Sequence, residues 1–325
     1  MRLLSLSGFI PEQVCDTVRF TQYEGDFPIS HYCGYVADFI AQVQNDPDID
    51  GAVFPKSCDS SRGIAAYLSG SGKFLYQMPV PVCTGHAAVL YFAHAIRQYK
   101  EAVERHFCVR ITQEEIRERA LLVNMRNVKW KQWYDGLGEG VCYSGYLAAV
   151  HRMLKRPLAE QMPLMPQETM PGKDTAWNRP KGKRVYLVGS FLSDVVLAEQ
   201  IERAGMCIVG DNLTESKRLF FAPEVEINQG DIYEGIARSI LQNRASPTQN
   251  HFTGIWEDDW KEIQEKEAAG VIFLVQKYCE PYEYLYSVYR KLLEEVQIPV
   301  LKLNMANSMS QKRFGLELEA FAECL

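Results

Sequence analysis

The apolar residues of this chain fall into two patterns: short continuous runs, and runs spaced three or four residues apart. In the first half, continuous runs at residues 2–6, 51–55 and 74–82 predict buried strands. Helical spacing extends over residues 87–155 and is interrupted at Thr112, where TQEE has the form of a capping box. The pattern therefore predicts strands connected by helices, followed by a long helical segment.

The second half repeats the alternation of strands and helices. Apolar runs predict strands at residues 184–189, 206–211, 270–279 and 298–305, and amphipathic spacing predicts helices at residues 191–205, 232–243, 256–269, 282–296 and 311–324. Gly205 stands where a glycine commonly ends a helix. We therefore predict an α/β fold of two Rossmann-like or flavodoxin-like domains with mostly parallel sheets, plus a helical segment between them. Ligands in such folds bind at the carboxyl ends of the strands.

A proline-rich stretch separates the two halves. It contains Pro157, Pro163, Pro166, Pro171 and Pro180. Because prolines at this density favour an extended linker, we place the domain boundary there. The predicted units are an N-terminal α/β domain with a helical extension at residues 1–160, a linker at 161–180 and a C-terminal α/β domain at 181–325.

Charge and hydrophobicity narrow the class of protein. With 41 acidic and 35 basic residues the net charge is −6, which argues against a nucleic-acid binder that neutralises phosphates. The longest apolar runs fall far short of the roughly 20 residues that cross a bilayer, so no membrane partner is expected. The N-terminal MRLLSLSGFIPE has one basic residue and no small-residue cleavage site, so we interpret it as a first strand rather than a signal peptide. We expect a cytoplasmic protein.

The nine cysteines are an odd number and include no CxxC pair. This argues against a secreted disulfide framework and against a zinc ribbon.

Three cysteines share one setting: Cys33, Cys58 and Cys279 each stand just before a predicted helix. Cys58 and Cys279 also stand directly after predicted strands. If the strand ends of the two halves face each other, these thiols can converge, and soft thiolates select zinc, copper(I) or iron–sulfur clusters. The alternative is that each is a small buried residue. The other six are assigned to structural positions: Cys15, Cys83, Cys108, Cys142, Cys207 and Cys324.

Segments spread over nearly the whole chain carry a resemblance to a known family. They are GFIPEQV, YCGYV, FPKSCDSSRG, VYLVGSFLSDVVLAEQIERAGMCIVGDNLTESKR with Asp211 and Arg218, and GVIFLVQKYCEPYEY followed by IPVLKLNM. Together they resemble the 2-hydroxyacyl-CoA dehydratase family, which includes 2-hydroxyglutaryl-CoA and 2-hydroxyisocaproyl-CoA dehydratase subunits and benzoyl-CoA reductase subunits. CDSSR and KYCEPYEY are the most specific segments, because each joins a strand, a cysteine and the matching residues after it.

The resemblance implies a four-iron four-sulfur (4Fe-4S) cluster held between the two domains by Cys33, Cys58 and Cys279, with one iron left open. It also implies radical chemistry, in which an ATP-dependent iron–sulfur activator injects one electron and the substrate thioester becomes a ketyl radical that expels its hydroxyl group. The implied partners are a homologous second subunit or a second copy of this chain, the activator, and an acyl-CoA or similar small-molecule substrate. The alternatives are a related ATP-dependent reductase, of the benzoyl-CoA reductase type or acting on a small non-CoA substrate, and a non-catalytic electron-transfer subunit.

Five further side chains are candidates near this site. Glu12 and His251 can face the substrate as catalytic residues, and the alternatives are a solvated carboxylate at a helix N-terminus and an ordinary loop histidine. Asp59 and Arg62 flank the second of the three cysteines, where they can contact the cluster sulfurs and tune its potential, or pair with each other. Ser190 can donate a hydrogen bond to a carbonyl at a strand end, although nothing in the sequence distinguishes it from a turn serine.

Overall fold

Two four-stranded parallel sheets form the framework of the protein. The structure is a computed structural model, and it describes residues 1–6, 10–15, 17–19, 32–161, 182–192, 195–243, 246–249, 252–305 and 314–325. The α/β fold class predicted from the sequence is confirmed. No helix of the described residues is long and apolar enough to cross a lipid bilayer.

The first sheet has the strand order β2-β1-β3-β4. Its strands are β1 (Leu3–Ser5), β2 (Thr17–Arg19), β3 (Gly51–Pro55) and β4 (Phe74–Met78), and all of its pairings are parallel. Every residue of β1 and β3 is buried, as expected for strands covered on both faces. The helices α1 (Gly34–Asn45) and α2 (Asp59–Tyr67) cover one face, where Phe39 and Ile64 join Phe54 in a common core.

The second sheet has the equivalent order, β6-β5-β7-β8. Its strands are β5 (Lys183–Gly189), β6 (Met206–Asn212), β7 (Gly270–Gln276) and β8 (Val300–Met305), again all parallel. The described helices of this half are α7 (Val195–Arg203), α8 (Lys217–Phe220), α9 (Ile232–Leu241), α10 (Phe252–Glu265), α11 (Glu280–Glu295) and α12 (Gly315–Cys324). Gly205 has a φ of 82° after α7, which is the left-handed conformation that glycine adopts without strain.

The shared strand order creates a switch point in each sheet. β1 lies between β2 and β3. The connection from β1 therefore leads towards one edge of the sheet, and the connection from β3 leads towards the other edge. β5 and β7 stand in the same relation in the second sheet. A crevice opens outside the carboxyl ends of two such strands, and ligands of parallel α/β proteins bind there.

A helical segment of α3 (His86–Phe107), α4 (Gln113–Asp135), α5 (Tyr143–Leu154) and α6 (Leu158–Gln161) lies between the strands of the two sheets in the chain. The capping box predicted at Thr112 is present, since its Oγ1 accepts from the Glu115 backbone N–H and the Glu115 carboxylate accepts from the Thr112 N–H at 2.7 Å. α3 packs on α9, and Trp130 of α4 stacks on Phe220 of α8 at 5.2 Å. The helical segment therefore contacts both halves of the chain.

The longer predicted elements agree with the structure within a few residues at their ends. The strand predicted at 74–82 ends at Met78, ahead of Pro79, and the long helical run divides into α3, α4 and α5. The short elements β2, α6 and α8 were not predicted, because three or four residues are too few to show a period. The predicted linker, apart from Gln161, lies outside the described residues.

Candidate functional site

Each of the three strand-end cysteines is the N-cap residue of a helix. Cys33 precedes α1, Cys58 precedes α2 and Cys279 precedes α11. Cys58 follows β3, and Cys279 follows β7, so both lie beside the switch-point strands of their sheets. The predicted positions are confirmed: all three cysteines precede helices, and Cys58 and Cys279 also follow strands.

All three cysteines line one cavity between the carboxyl ends of the two sheets. This inner cavity has a volume of about 130 Å³. The first sheet contributes Leu6 after β1 and Pro55 at the end of β3, and the second sheet contributes Phe191 after β5. The two switch points therefore open on the same space, and the three thiols, which are far apart in sequence, meet there.

The same three cysteines also line a second, outer groove of about 890 Å³. Four tyrosines border this groove: Tyr32, Tyr67, Tyr278 and Tyr284. The last three of them are exposed. The thiols therefore lie where a smaller and a larger pocket meet, both of them partly open.

Burial raises the pKa of the Cys33 thiol to about 11 and raises the pKa of Cys279 well above its ordinary value. The neighbouring thiols act in the same direction, because Cys58 raises the pKa of Cys33 and both of them raise the pKa of Cys279. Three thiolates would repel each other in this buried space unless a cation compensated their charge. A coordinated metal supplies that compensation and deprotonates its thiol ligands.

Helix N-termini offset part of this cost. The backbone N–H groups of Val36 and Tyr35 act on the Cys33 sulfur, and that of Tyr282 acts on the Cys279 sulfur, each lowering the pKa of the thiol. These N–H groups belong to the first turn of each helix, and the helix dipole adds to their effect. These N–H groups offset part of the effect of burial but not all of it, since the pKa of both thiols stays above its ordinary value.

The donor set fits an iron–sulfur cluster. Within the part of the chain that the structure describes, no three His, Cys, Asp or Glu side chains are arranged to hold a single metal ion. The cysteines of a cubane cluster each bind a different iron, so their sulfurs are spaced more widely than the ligands of one ion. Three soft thiol donors around one cavity match that chemistry. Cys33, Cys58 and Cys279 are the residues that would hold such a cluster.

Asp59 and Arg62 lie on the solvent side of the site. Their closest approach, 3.6 Å between Arg62 Nη1 and Asp59 Oδ1, is an exposed ion pair within the first turns of α2. Asp59 also borders the outer groove. Of the two expectations for these residues, the structure shows the ion pair between Asp59 and Arg62. A contact of either side chain with a cluster stays a prediction.

Glu12 lies apart from the thiols, in a different cavity. Arg126 donates two hydrogen bonds to its carboxylate, at 2.9 and 2.7 Å, and Arg19 approaches to 3.3 Å. These charges hold the pKa of Glu12 at about 2, although burial alone would raise it. The structure does not bring Glu12 together with the cysteines, and its catalytic role stays a prediction. His251 lies outside the described residues.

The remaining six cysteines differ in their surroundings. Cys15 and Cys207 are buried in the core, and Cys142 is the half-buried N-cap of α5, where its sulfur accepts from the Gly145 N–H. These three match the structural role expected of them. Cys83, Cys108 and Cys324 are exposed, so packing does not account for them.

Sequence reasoning assigned no site role to several polar residues of the inner cavity, among them Arg218 on α8 and Tyr282 on α11. Ser190, which the sequence did not distinguish from a turn serine, also lines it. The spacing of Tyr282, three residues after Cys279, was a signal that could have found it, because this places it one helical turn beyond an N-cap. Arg218 belongs to a segment that carries the family resemblance, but local spacing could not place it in the cavity, because its position depends on α8, which is too short to predict.

The fold and the site together define a protein with two parallel α/β units whose switch points share a thiol-lined cavity. The whole of this architecture corresponds to one family, since residues 2–325 match the family described as "2-hydroxyglutaryl-CoA dehydratase, D-component". The chain belongs to that family.

Two individual comparisons accompany the family match. The chain is 27% identical over 148 residues to the "(R)-phenyllactyl-CoA dehydratase beta subunit" of Clostridium sporogenes, a match that covers 45% of this chain and only 38% of that protein. A solved structure described as "crystal structure of SsGBP and GDP complex" aligns over 99% of this chain and 97% of its own length, with 12% identity and a TM-score of 0.25. That score is too low to carry an argument about fold or ligand.

Proposed function

We propose that this chain is the iron–sulfur component of a 2-hydroxyacyl-CoA dehydratase-like enzyme, in which Cys33, Cys58 and Cys279 hold a 4Fe-4S cluster. One observation carries the proposal: three helix N-cap thiols, from both halves of the chain, line one cavity at the carboxyl ends of two parallel sheets. Membership of the dehydratase family supports it. A cluster with three protein ligands supplies one open iron for substrate and one-electron chemistry.

The inner cavity would hold the reacting part of the substrate. Its walls include the apolar side chains of Leu6, Val36, Phe191 and Ile240. Such walls would limit the access of water to a bound substrate, which would strengthen electrostatic interactions with the substrate and protect reactive species from side reactions. This chain therefore contributes orientation and a dry environment, and the cofactor contributes the redox chemistry.

The outer groove would be the side from which an electron arrives. It reaches the same three thiols without passing through the inner cavity, and exposed tyrosines border it. We assign this groove to an ATP-dependent iron–sulfur activator that docks transiently.

The relative from Clostridium sporogenes is described as a beta subunit, so it works with at least one other subunit. We propose that this chain likewise pairs with a homologous second subunit or with a second copy of itself.

Serine substitutions of single cysteines test the proposal. Protein prepared without oxygen and reconstituted with iron and sulfide should show the visible absorption of a cluster, and Cys58→Ser should lose most of it because a serine oxygen is a poor ligand for iron in this cluster type. Cys142→Ser is the matched control, since Cys142 is also a half-buried N-cap cysteine but lies outside both cavities.

Cys207→Ser, in the buried strand β6, should likewise keep the absorption. Equal losses in Cys58→Ser, Cys142→Ser and Cys207→Ser would show that the absorption depends on general folding and that the ligand assignment is wrong.

A further inference from the structure

Two tyrosines of the outer groove stand directly before site cysteines in the sequence. Tyr32 precedes Cys33 and Tyr278 precedes Cys279, and all four residues line the groove. The two tyrosines come from opposite halves of the chain. Each half therefore places one aromatic ring beside one of its thiols, on the outer side of the site.

The backbone of Tyr278 is held in a strained conformation. Its φ is 67°, in the left-handed region that a bulky residue adopts only at a cost in free energy. The Cys279 N–H donates to the Gln276 backbone oxygen at 2.9 Å and closes a tight turn between β7 and α11. Glycine or asparagine normally supplies a positive φ at the third residue of such a turn, so a tyrosine there is an unfavourable choice.

Packing does not offset this strain. Tyr278 is 52% exposed, and its ring lies under the Lys277 ammonium, 4.9 Å from the ring centre. The other non-glycine residues with positive φ in the described part of the chain lie within two residues of the end of a helix, where this conformation is common: Cys108, Glu267 and Gln297. Tyr278 instead precedes a helix, at the thiol site. A strained residue that persists beside a candidate site is evidence that its side chain has a function there.

Tyr32 is accommodated by a second unfavourable choice. Gly63 lies in the middle of α2, where glycine destabilises a helix relative to alanine. A Cβ at Gly63 would lie 2.7 Å from a ring carbon of Tyr32, so glycine leaves room for the ring. The ring also meets Tyr67 of the same helix edge-on, at 6.2 Å between ring centres. The stability of α2 is thus reduced where the helix makes room for Tyr32 beside the groove.

Aromatic rings in these two positions restrict what reaches the thiols from the outer groove. Water stabilises the more highly charged state of a buried group, and solvent exposure is one of the factors that set the reduction potential of an iron–sulfur cluster. One-electron reduction adds a negative charge to a cluster. A cluster that is less hydrated therefore has a lower potential and is a stronger one-electron reductant.

We propose that Tyr32 and Tyr278 form an aromatic cover over the outer side of the thiol site, which limits the access of water and oxidants to the sulfurs of Cys33 and Cys279. The two rings act through their bulk rather than through their hydroxyl groups. The cover of the thiols is independent of what the thiols bind, whereas its effect on a cluster rests on the proposed function.

Alkylation of the reduced, iron-free chain with iodoacetamide tests the cover without a cluster, with mass spectrometry to follow each cysteine. Tyr278→Gly removes the ring and relieves the backbone, so the melting temperature should be unchanged or higher. Cys279 should react about threefold faster or more, since a reagent reaches a covered group in proportion to its open population. Tyr278→Phe keeps the ring and should react like the parent protein. Gln297→Gly is the matched control, because it relieves a φ of 59° outside the groove, and it should leave the rate unchanged.

Gly63→Ala tests the other ring. The added Cβ should displace the Tyr32 ring, and alanine favours the helix, so the melting temperature should not fall. Cys33 should react about threefold faster or more, for the same reason as Cys279. Gly235→Ala is the matched control, because Gly235 also lies inside a helix but a Cβ there meets no atom closer than 3.4 Å, and it should leave the rate at Cys33 unchanged.

Reconstituted protein shows whether the cover acts on a cluster. Tyr278→Gly and Gly63→Ala should have the iron content of the parent protein, a less negative midpoint potential and a visible absorption that fades faster in air. Unchanged potentials and fading rates in iron-loaded variants would overturn the proposal, because a cover that leaves the bound group unaffected has no function.

The alkylation rates and the iron content together distinguish this inference from the proposed function. Equal alkylation of Cys33 and Cys279 in the parent and variant chains would overturn the cover, whatever the iron content. A chain that takes up no iron but shows the faster alkylation removes the cluster and keeps the cover over the thiols. A lower melting temperature, with faster alkylation of the buried Cys207 as well, would assign the two positions a structural role and overturn the proposal.

Discussion

Cys33, Cys58 and Cys279 occupy N-cap positions that Ser, Thr, Asp or Asn usually fill. A thiol is a weak hydrogen-bond acceptor, so each of these helices forgoes part of the stabilisation that an oxygen would give. The same positions place the sulfur beside N–H groups of the first helical turn and the positive end of the helix dipole, which offset part of the cost of burying a thiolate. Three such choices around one cavity are better explained by ligand chemistry than by stability.

Glu12 provides a residue-scale prediction about stability. Glu12→Gln should lower the free energy of unfolding at pH 7 by about 3–5 kcal/mol, because it leaves Arg126, which is fully buried, without its anionic partner. Chemical denaturation of the parent and variant chains measures this difference.

The pH dependence of the same pair has a definite sign. The pKa of Glu12 is held at about 2, below its unfolded value of 4.5. The contribution of the Glu12 carboxylate to the free energy of unfolding is therefore complete above pH 4.5 and is lost as the pH falls towards 2. The difference in the free energy of unfolding between the parent protein and Glu12→Gln should therefore shrink over that interval.

Glu199→Gln is the control, in an exposed pair with Arg203, and should lower the free energy of unfolding by less than about 1 kcal/mol. A cost for Glu12→Gln as small as that of Glu199→Gln would contradict the structural role of the buried pair.

At the scale of elements, the end of β5 leaves no room for a side chain at Gly189. A Cβ at Gly189 would lie 2.7 Å from the backbone oxygen of Leu274 in β7, which cannot move without disturbing the sheet. The carbonyl of Gly189 also accepts the 2.6 Å hydrogen bond from Arg218. Glycine at this position therefore allows two strands to approach closely and fixes the position of a cavity residue.

Gly189→Ala should lower the free energy of unfolding by about 1–3 kcal/mol, since overpacking here displaces backbone rather than a flexible side chain. Thermal or chemical unfolding measures the loss. Gly70→Ala is the matched control, because a Cβ at Gly70 meets nothing within 4 Å, and it should be neutral. A neutral Gly189→Ala would mean that β5 and β7 are not as closely packed as described.

Local sequence pattern was sufficient to predict most of these elements and the positions of the cysteines on them. Continuous apolar runs mark β3 and β7, and each run is followed directly by its cysteine and a helix, so the placement of Cys58 and Cys279 could be predicted. The partners of Arg218 and Glu12 could not, because they come from strands and helices far away in the sequence. The burial of those partners depends on tertiary packing, which has no local signature.

At the scale of the whole molecule, function depends on how the two sheets are placed relative to each other. Each sheet alone provides a switch-point crevice, but Cys33 and Cys58 come from the first half of the chain and Cys279 from the second. The contacts of α3 with α9 and of α4 with α8 hold the two halves together. The cavity is therefore a property of the assembled chain and not of either half.

The iron and acid-labile sulfide content of the chain, prepared without oxygen and reconstituted, tests this account most directly. We expect about four irons and four sulfides per chain, the content of one cubane cluster. Protein that remains free of iron after reconstitution, or that binds a single metal ion without sulfide, would contradict it.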